Sequence, residues 1–474
     1  MSASGAEPVA WRAVLTGPNA GLFTILCFGV WLNAADSTVI ATLLPPIIDD
    51  IGGEALVSLT YVLYRLANIV ALCCGALVAQ SVGLRGAMVV CSLTVALGCL
   101  VSAVTPSMEF MLVGRAIQGF GGGMLVALTT IGATKLFPSH YTPRIMAAIS
   151  AVWGSSAFLG PLVGGIFAEF GYWRLGFWAF VVQALLLAVA LRWILPPDEK
   201  VEAKQTRLPW RRLGLLSAAI LSIAFAGLET ESPGLIAVLC AFGAIALAYF
   251  LRLDRDAPDT DRLLPRAVTD LGHTAGQGLG VIFLIATGGI AFTVYGPVLV
   301  SKIHDVGPLA AGYMIALESV SWTLGALFFS GVAGRRQVYL IRAAIWLLGI
   351  GGAGLALFVS SGPVWLIPVF LFLMGLGFGA CFGHILQNCV ETVPTEDKER
   401  AAGAINSVQI IGYSLGAAIC GIAANTVGFG DGATPETARA AADWMFVVML
   451  PILGAAILLV HRFPGRGVSE APAP

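Results

Sequence analysis

Long apolar blocks, separated by short charged or Pro/Gly-rich punctuation, run through this sequence from end to end. They fall at 21–46, 55–79, 86–104, 108–137, 144–168 and 174–195, then 212–229 and 234–252, then 273–300, 308–333, 338–360, 364–391, 400–428 and 443–461. About 20 apolar residues carry a helix across a hydrocarbon core. Crossings this numerous are helices, because each backbone group must be satisfied within its own segment. The pattern predicts an all-α membrane protein of fourteen transmembrane helices, with 212–229 the shortest. Two polar stretches, 196–211 (PPDEKVEAKQTRLPWR) and 254–270 (DRDAPDTDRLLPRAVTD), flank the seventh and eighth blocks. The predicted organisation is a six-helix bundle over 1–195, cytoplasmic linkers with two inserted helices over 196–270, and a second six-helix bundle with a short cytoplasmic tail over 271–474. Six plus six is the pattern of two repeats rocking about a central site.

Composition strengthens the membrane reading. Of 474 residues, 58% are apolar and 11% charged, with a mean hydropathy of +0.88. Soluble domains carry about 25% charged residues, so a soluble enzyme is excluded. The net charge of −1 gives no bias toward nucleic acid. The nine cysteines lie in or beside apolar blocks without a C-x-x-C pair, as small buried hydrophobes do. The first block is too long for the apolar region of a signal peptide and reads as a retained span. With the N-terminus inside, 21 of the 26 Lys/Arg fall on the cytoplasmic side, while Arg174, Lys302 and Arg439 fall outside and Arg65 and Arg115 lie within spans. Missing a single span would scramble that asymmetry, so the positive-inside rule places both termini in the cytoplasm.

Charges inside the blocks are candidates for chemistry. Asn33 and Asp36 share a face of the first block. At about 1.5 Å per residue, Asp36 lies roughly 24 Å along a helix starting near Ala20, past mid-membrane. A carboxylate at the centre of a span costs about 2.5–3.5 kcal/mol on insertion scales, so it should face a cavity or a partner. Its protonated form is far cheaper in a dry site, which makes it a natural proton carrier. The competing reading is a structural ion pair with Arg115. In the fourth block Arg115 and Gln118 share a face, and Gly119, Gly121, Gly122 and Gly123 let another backbone approach. The fifth block carries Gly160-Pro161-Leu162-Val163-Gly164-Gly165, a bend or packing kink whose glycines are expected to meet a helix of the opposite half. Arg65 in the second block needs compensation. It pairs with Asp36, snorkels outward, or meets an anionic or zwitterionic substrate.

In the second half, Glu318, Ser321 and Trp322 share a face, a carboxylate beside an aromatic surface that suits an organic cation. His384, Gln387, Asn388 and Glu391 follow helical spacing, as do Asn406, Gln409 and Tyr413. His384 either carries protons or is a satisfied interhelical histidine. Trp31, Trp153 and Tyr295 read as packing or interface anchors, with Trp153 also a candidate for touching substrate.

Asp36…Pro45, Arg115-x-x-Gln118-Gly119 and Gly160-Pro161-x-x-Gly164-Gly165 resemble signature motifs of the major facilitator superfamily. With Trp173-Arg174-x-x-Phe177, the inserted helix pair, Gly403-Ala404-Ile405-Asn406-Ser407 and Gly412-x-x-Leu415-Gly416, they are similar to its fourteen-span drug:proton antiporter branch. The resemblance covers nearly the whole chain. One motif departs from it: where the family has Gly-x-Leu-x-Asp-Arg-x-Gly-Arg between spans two and three, Gln80 stands at the aspartate and, around Gly83, only Arg85 is charged. That implies a weaker cytoplasmic latch or one of neutral hydrogen bonds.

The resemblance implies a secondary active transporter exporting amphipathic small molecules, drug-like or toxic, in exchange for protons by alternating access. Asp36, Arg115 and Glu318 would couple protons. Asn33, Arg65, Gln118, Trp153, Trp322, His384, Gln387 and Asn406 would bind substrate. Gln80, Gly83, Arg85, Gly160, Pro161, Gly164 and Gly165 would gate. No ATP-binding motif appears, so the expected driver is a proton gradient, with no cofactor or metal. The expected partners are the substrate, protons and the lipid bilayer, not nucleic acid. The expected state is a monomer in the cytoplasmic (inner) membrane. A facilitator, importer or lipid flippase on the same fold is the alternative, and a membrane enzyme or receptor a remote one.

Overall fold

A computed structural model of the chain describes residues 19–138, 141–197, 209–229, 232–258, 262–394 and 398–464. Among the described residues are fifteen α-helices and no strand. The first six are α1 (Ala20–Ile51), α2 (Val57–Val82), α3 (Leu84–Ala103), α4 (Met108–Lys135), α5 (Thr142–Glu169) and α6 (Trp173–Ile194). The pair predicted as inserted is α7 (Trp210–Ala226) and α8 (Pro233–Arg255). Then follow α9 (Thr274–Gly289), α10 (Ala291–His304), α11 (Pro308–Phe329), α12 (Arg335–Phe358), α13 (Leu366–Glu391), α14 (Lys398–Asn425) and α15 (Pro435–Val460). Between α9 and α10, Ile290 keeps a helical backbone and its carbonyl accepts from Val294 N–H at 3.2 Å, so the two make one crossing. Thirteen stretches of the described residues are long and apolar enough to cross a membrane. The predicted span outside that set is 212–229, where α7 stops at 17 residues.

Two boundaries differ most from the pattern-based reading. The first helix does not end at Pro45-Pro46 but continues to Ile51. Proline deletes its own N–H bond and bends a helix, yet later residues can resume it. The last helix starts at Pro435, eight residues before the predicted 443, because Thr434 and Thr437 form a reciprocal capping box ahead of a polar first stretch.

The chain divides into two compact units, one bounded by Met1–Leu43 and Leu66–Leu208, the other by Leu44–Arg65 and Pro209–Pro474. In the first, α3 packs on α4 and α6. Ser92 Oγ on α3 donates to Ala184 O on α6 at 2.7 Å, and Trp31 Nε1 on α1 donates to Gln183 Oε1 at 3.0 Å. In the second, α13 packs on both α11 and α12. Gly375 and Gly379, one turn apart, face the carbonyls of Glu318 and Trp322 on α11, while Gly377 faces Ala344 O on α12. Glycines on two sides of one helix admit a neighbour's backbone on each.

The turn before α2 also belongs to the second unit. Gly52 and Gly53 turn it with φ of 66° and 86°, a region costly for any residue with a Cβ. Asn425 Nδ2 donates to Ala55 O at 2.9 Å and to Gly227 O at 2.6 Å, fixing this turn and the end of α7 to α14. Lys302 Nζ pairs with Asp49 at 2.6 Å. Pro297 lacks the N–H that would bond Thr293 O, and the Tyr61 hydroxyl donates to that carbonyl at 3.0 Å. At the far end of the inserted pair, buried Asp254 accepts from Arg212 Nη1 at 3.0 Å and from Leu263 N and Leu264 N at 2.9 and 2.8 Å. An acid in a helix's last turn opposes the dipole, and here it holds the following linker.

Candidate functional site

In the first unit the polar residues of α1, α2, α3 and α4 meet inside the bundle. Arg115 Nη1 lies 3.2 and 3.1 Å from the two carboxylate oxygens of Asp36 and donates to Gln118 Oε1 at 2.7 Å. The exposures are 1% for the Arg115 side chain and 2% for Asp36. Gln118 Nε2 reaches Cys99 Sγ at 3.3 Å. Beside this chain, Asn68 Nδ2 donates to Asn33 Oδ1 at 2.7 Å and approaches Gly119 O at 3.4 Å. A Cβ at Gly122 would meet Asn33 Oδ1, and one at Gly123 would come 2.6 Å from Asn68 O. The glycine run of α4 is therefore the space that the two asparagines occupy. Asp36, Arg115 and Gln118 come together as one buried network, and Asn33 pairs with Asn68 against the same helix α4. Sequence reasoning placed Asn68 only on the face of Arg65 and read Cys99 only as a small buried hydrophobe, and assigned neither to this network.

The α5 element carries a correction. Cβ atoms at Gly160 and Gly164 would run into Thr38 Oγ1 and Thr42 Oγ1 of α1. These glycines meet a helix of their own half, where Thr38 Oγ1 lies 3.2 Å from Ser156 O. Both threonine hydroxyls fold back on α1 carbonyls, so they present compact shoulders that only a side-chain-free surface matches. Pro161 and Gly165 are buried beside them, and Trp153 on the same helix is 39% exposed. Gly83 joins α2 to α3 with φ of 82°, which favours glycine. Arg85 is half-buried in the first turn of α3. Gln80 belongs to α2, and its side chain lies outside the described residues.

In the second unit Glu318 lies mid-helix on α11, half-buried, with its backbone against Gly375. Ser321 turns inward, donating to Glu318 O at 2.8 Å. Trp322 stacks on Phe378 with centroids 4.2 Å apart and lies 5.9 Å from Phe382. The Arg65 guanidinium sits over the Tyr413 ring, 5.2 Å from its centroid, and Gln409 Nε2 donates to Tyr413 Oη at 3.1 Å. Asn406, on the same helix, is exposed. His384 is a satisfied interhelical histidine. Its Nε2 faces Phe329 O at 2.8 Å and its Nδ1 faces Gln337 Nε2 at 3.0 Å. A carbonyl only accepts, so the proton sits on Nε2 and Nδ1 accepts from Gln337. Gln387 is exposed and bonded to Glu391 at 2.8 Å. No cluster of potential metal ligands occurs among the described residues.

Long apolar helices around buried polar networks define a multi-pass membrane protein. Residues 26–417 match the Major Facilitator Superfamily, and the chain belongs to that superfamily. It is 30% identical over 484 residues to the "probable multidrug-efflux transporter" of Mycobacterium tuberculosis, covering 98% of this chain and 99% of that protein. To the multidrug efflux pump SdrM of Staphylococcus aureus it is 26% identical over 403 residues, covering 83% and 87%. Among solved structures, a D-xylose–proton symporter superposes with a TM-score of 0.62 at 14% identity, over 90% of this chain and 96% of that one. A bacterial homolog of the human lysosomal transporter Spinster gives 0.62 at 12% identity, over 96% and 97%. These two likenesses establish the fold.

Proposed function

We propose that the protein exports amphipathic small molecules from the cell in exchange for protons, by alternating access, in the cytoplasmic membrane with both termini inside. The multidrug-efflux relatives support the substrate class. The observation that carries the coupling is the Asp36–Arg115–Gln118 network. One guanidinium nitrogen holds both oxygens of a sealed carboxylate and also the Gln118 amide oxygen. A proton on Asp36 removes the charge that Arg115 pairs with, and Gln118 still holds the guanidinium. Proton and ion pair are thus alternative occupants of one carboxylate. Two conformations that differ in how firmly they hold that pair therefore differ in proton affinity, and a ligand shifts an equilibrium only through such a difference.

Everted vesicles carrying wild type and Asp36→Asn test this reading. Wild type accumulates substrate against its gradient when the lumen is acid, and substrate addition dissipates the pH gradient. Asp36→Asn folds but does neither. Undiminished uphill transport by that variant removes Asp36 from the mechanism, and equilibration without accumulation by wild type, the same with and without a pH gradient, replaces antiport with facilitated movement.

A further inference from the structure

Helices α7 and α8 of the second unit touch in the middle and part at one end. Mid-pair, a Cβ on Gly243 of α8 would come 2.7 Å from Ser222 Oγ and 2.9 Å from Ala219 O of α7, so the backbones are in contact. Where α7 begins and α8 ends, they leave a groove of about 530 Å³ lined by Trp210, Arg211, Gly214, Leu215, Tyr249 and Leu253. A Cβ on Gly214 would meet nothing within 4 Å, which keeps this space clear.

The groove wall carries donors and no acid. Of two adjacent arginines, Arg212 pairs with buried Asp254 at 3.0 Å. Exposed Arg211 has no hydrogen bond or ion pair among the described residues, and neither do the side chains of Trp210 and Tyr249. Guanidinium, indole N–H and phenol O–H can all donate to one anion. Exposed Arg252 and Arg255 in the last turn of α8 are likewise unpaired among the described residues, and they outweigh the exposed acid next to them, Asp256.

Tyr249 also ends an apolar stripe. Leu235, Val238, Phe242, Ile245 and Tyr249 share one face of α8 and are between 44% and 68% exposed. At 1.5 Å per residue the stripe runs about 21 Å, longer than half of the roughly 30 Å hydrocarbon core. Exposed Trp210 and Tyr249 are the side-chain types that sit at headgroup level, so the groove lies where a lipid phosphate meets the start of its chains.

We propose that this groove binds one phospholipid with an anionic headgroup, its phosphate against Arg211, Trp210 and Tyr249 and an acyl chain along the α8 stripe. Arginine favours phosphate through charge-assisted hydrogen bonds. A choline headgroup sets a fixed cation among Arg211, Arg252 and Arg255, so phosphatidylcholine is disfavoured against phosphatidylglycerol. The site is independent of what the protein transports.

Native mass spectrometry of the delipidated full-length protein in detergent, with added dioleoyl phosphatidylglycerol or dioleoyl phosphatidylcholine, reads bound lipid and oligomeric state together. Wild type binds one phosphatidylglycerol about tenfold more tightly than phosphatidylcholine. Arg211→Gln lowers phosphatidylglycerol affinity about tenfold, to the level of phosphatidylcholine. Gly214→Leu fills the groove without touching a charge and weakens both lipids. Arg336→Gln removes an exposed arginine from the first turn of α12 and leaves both affinities within about twofold. Melting in lipid-free detergent checks folding, and if Arg211→Gln does not fold, Gly214→Leu against Arg336→Gln decides. The site is overturned by a wild type without headgroup preference, or by phosphatidylglycerol binding that Gly214→Leu leaves unchanged. A loss in Arg211→Gln no larger than in Arg336→Gln overturns it as well. A dimer that Gly214→Leu disperses gives the groove to a second copy of the chain and also overturns the lipid site.

Discussion

Asp36 and Arg115 are buried so completely that removing either strands the other. Breaking a buried ion pair from one side costs on the order of 3 kcal/mol, whereas replacing both partners is much less harmful. Arg115→Gln should therefore lower the melting temperature of the detergent-purified protein, and Asp36→Asn combined with Arg115→Gln should recover most of the loss. A double variant no more stable than Arg115→Gln shows that the pair does not anchor this network. Both residues were legible in the sequence, because each is the lone charge deep inside its apolar block. Their partners in the structure were less so. Helical spacing tells which residues share a face of one helix, but not which neighbour that face meets. Asn68 on Asn33, Gln337 on His384 and Tyr413 under Arg65 all come from other helices. For His384 the structure chose between two readings that spacing left open, since both ring nitrogens are taken up by neighbouring helices, one by the Phe329 carbonyl and the other by the Gln337 amide.

Glycine does its structural work by position along a helix rather than by abundance. On α13, a Cβ at Gly379 would enter the Trp322 carbonyl of α11, while one at Gly383, a turn further on, would meet nothing within 4 Å. Gly379→Ala should destabilise by roughly 1–3 kcal/mol, as overpacking does. Gly383→Ala should be neutral or up to about 1 kcal/mol stabilising through helix propensity. Matched melting curves of the two variants check this, and equal effects would show that α11 and α13 are not in backbone contact at that turn. The sequence pattern located these elements to within a few residues, because a membrane core demands uninterrupted apolar length. It misplaced the end of α1, because the helix resumes after Pro45-Pro46, and the target of the α5 glycines, because that depends on what a neighbouring helix offers. A proline is tolerated where another group takes the freed carbonyl, as Tyr61 does at Thr293, and a glycine seam takes whichever small shoulders lie opposite.

The parity of the crossings governs every later loop, and it rests on the shortest crossing, α7. At about 1.5 Å per residue, the 17 residues of α7 reach about 26 Å, slightly under the roughly 30 Å of a hydrocarbon core. Basic Arg211 and Arg212 with exposed Trp210 open the helix, the side-chain types that sit at a membrane interface. At its other end, the Gly227 carbonyl is held by Asn425 on α14, the end of a full-length span. A short helix anchored at both ends can cross by local thinning at a cost of fractions of a kcal/mol per Å. If α7 failed to cross, the segment carrying Arg252, Arg255, Arg262 and Arg266 would move to the outside against the positive-inside rule. In a cysteine-free background with a functional check, Ala257→Cys should react with a membrane-impermeant maleimide only after cells are permeabilised, and Ala433→Cys should react in intact cells. Labelling of Ala257→Cys in intact cells would mean that α7 stays on one side, that the count of crossings is odd, and that the two termini face opposite compartments.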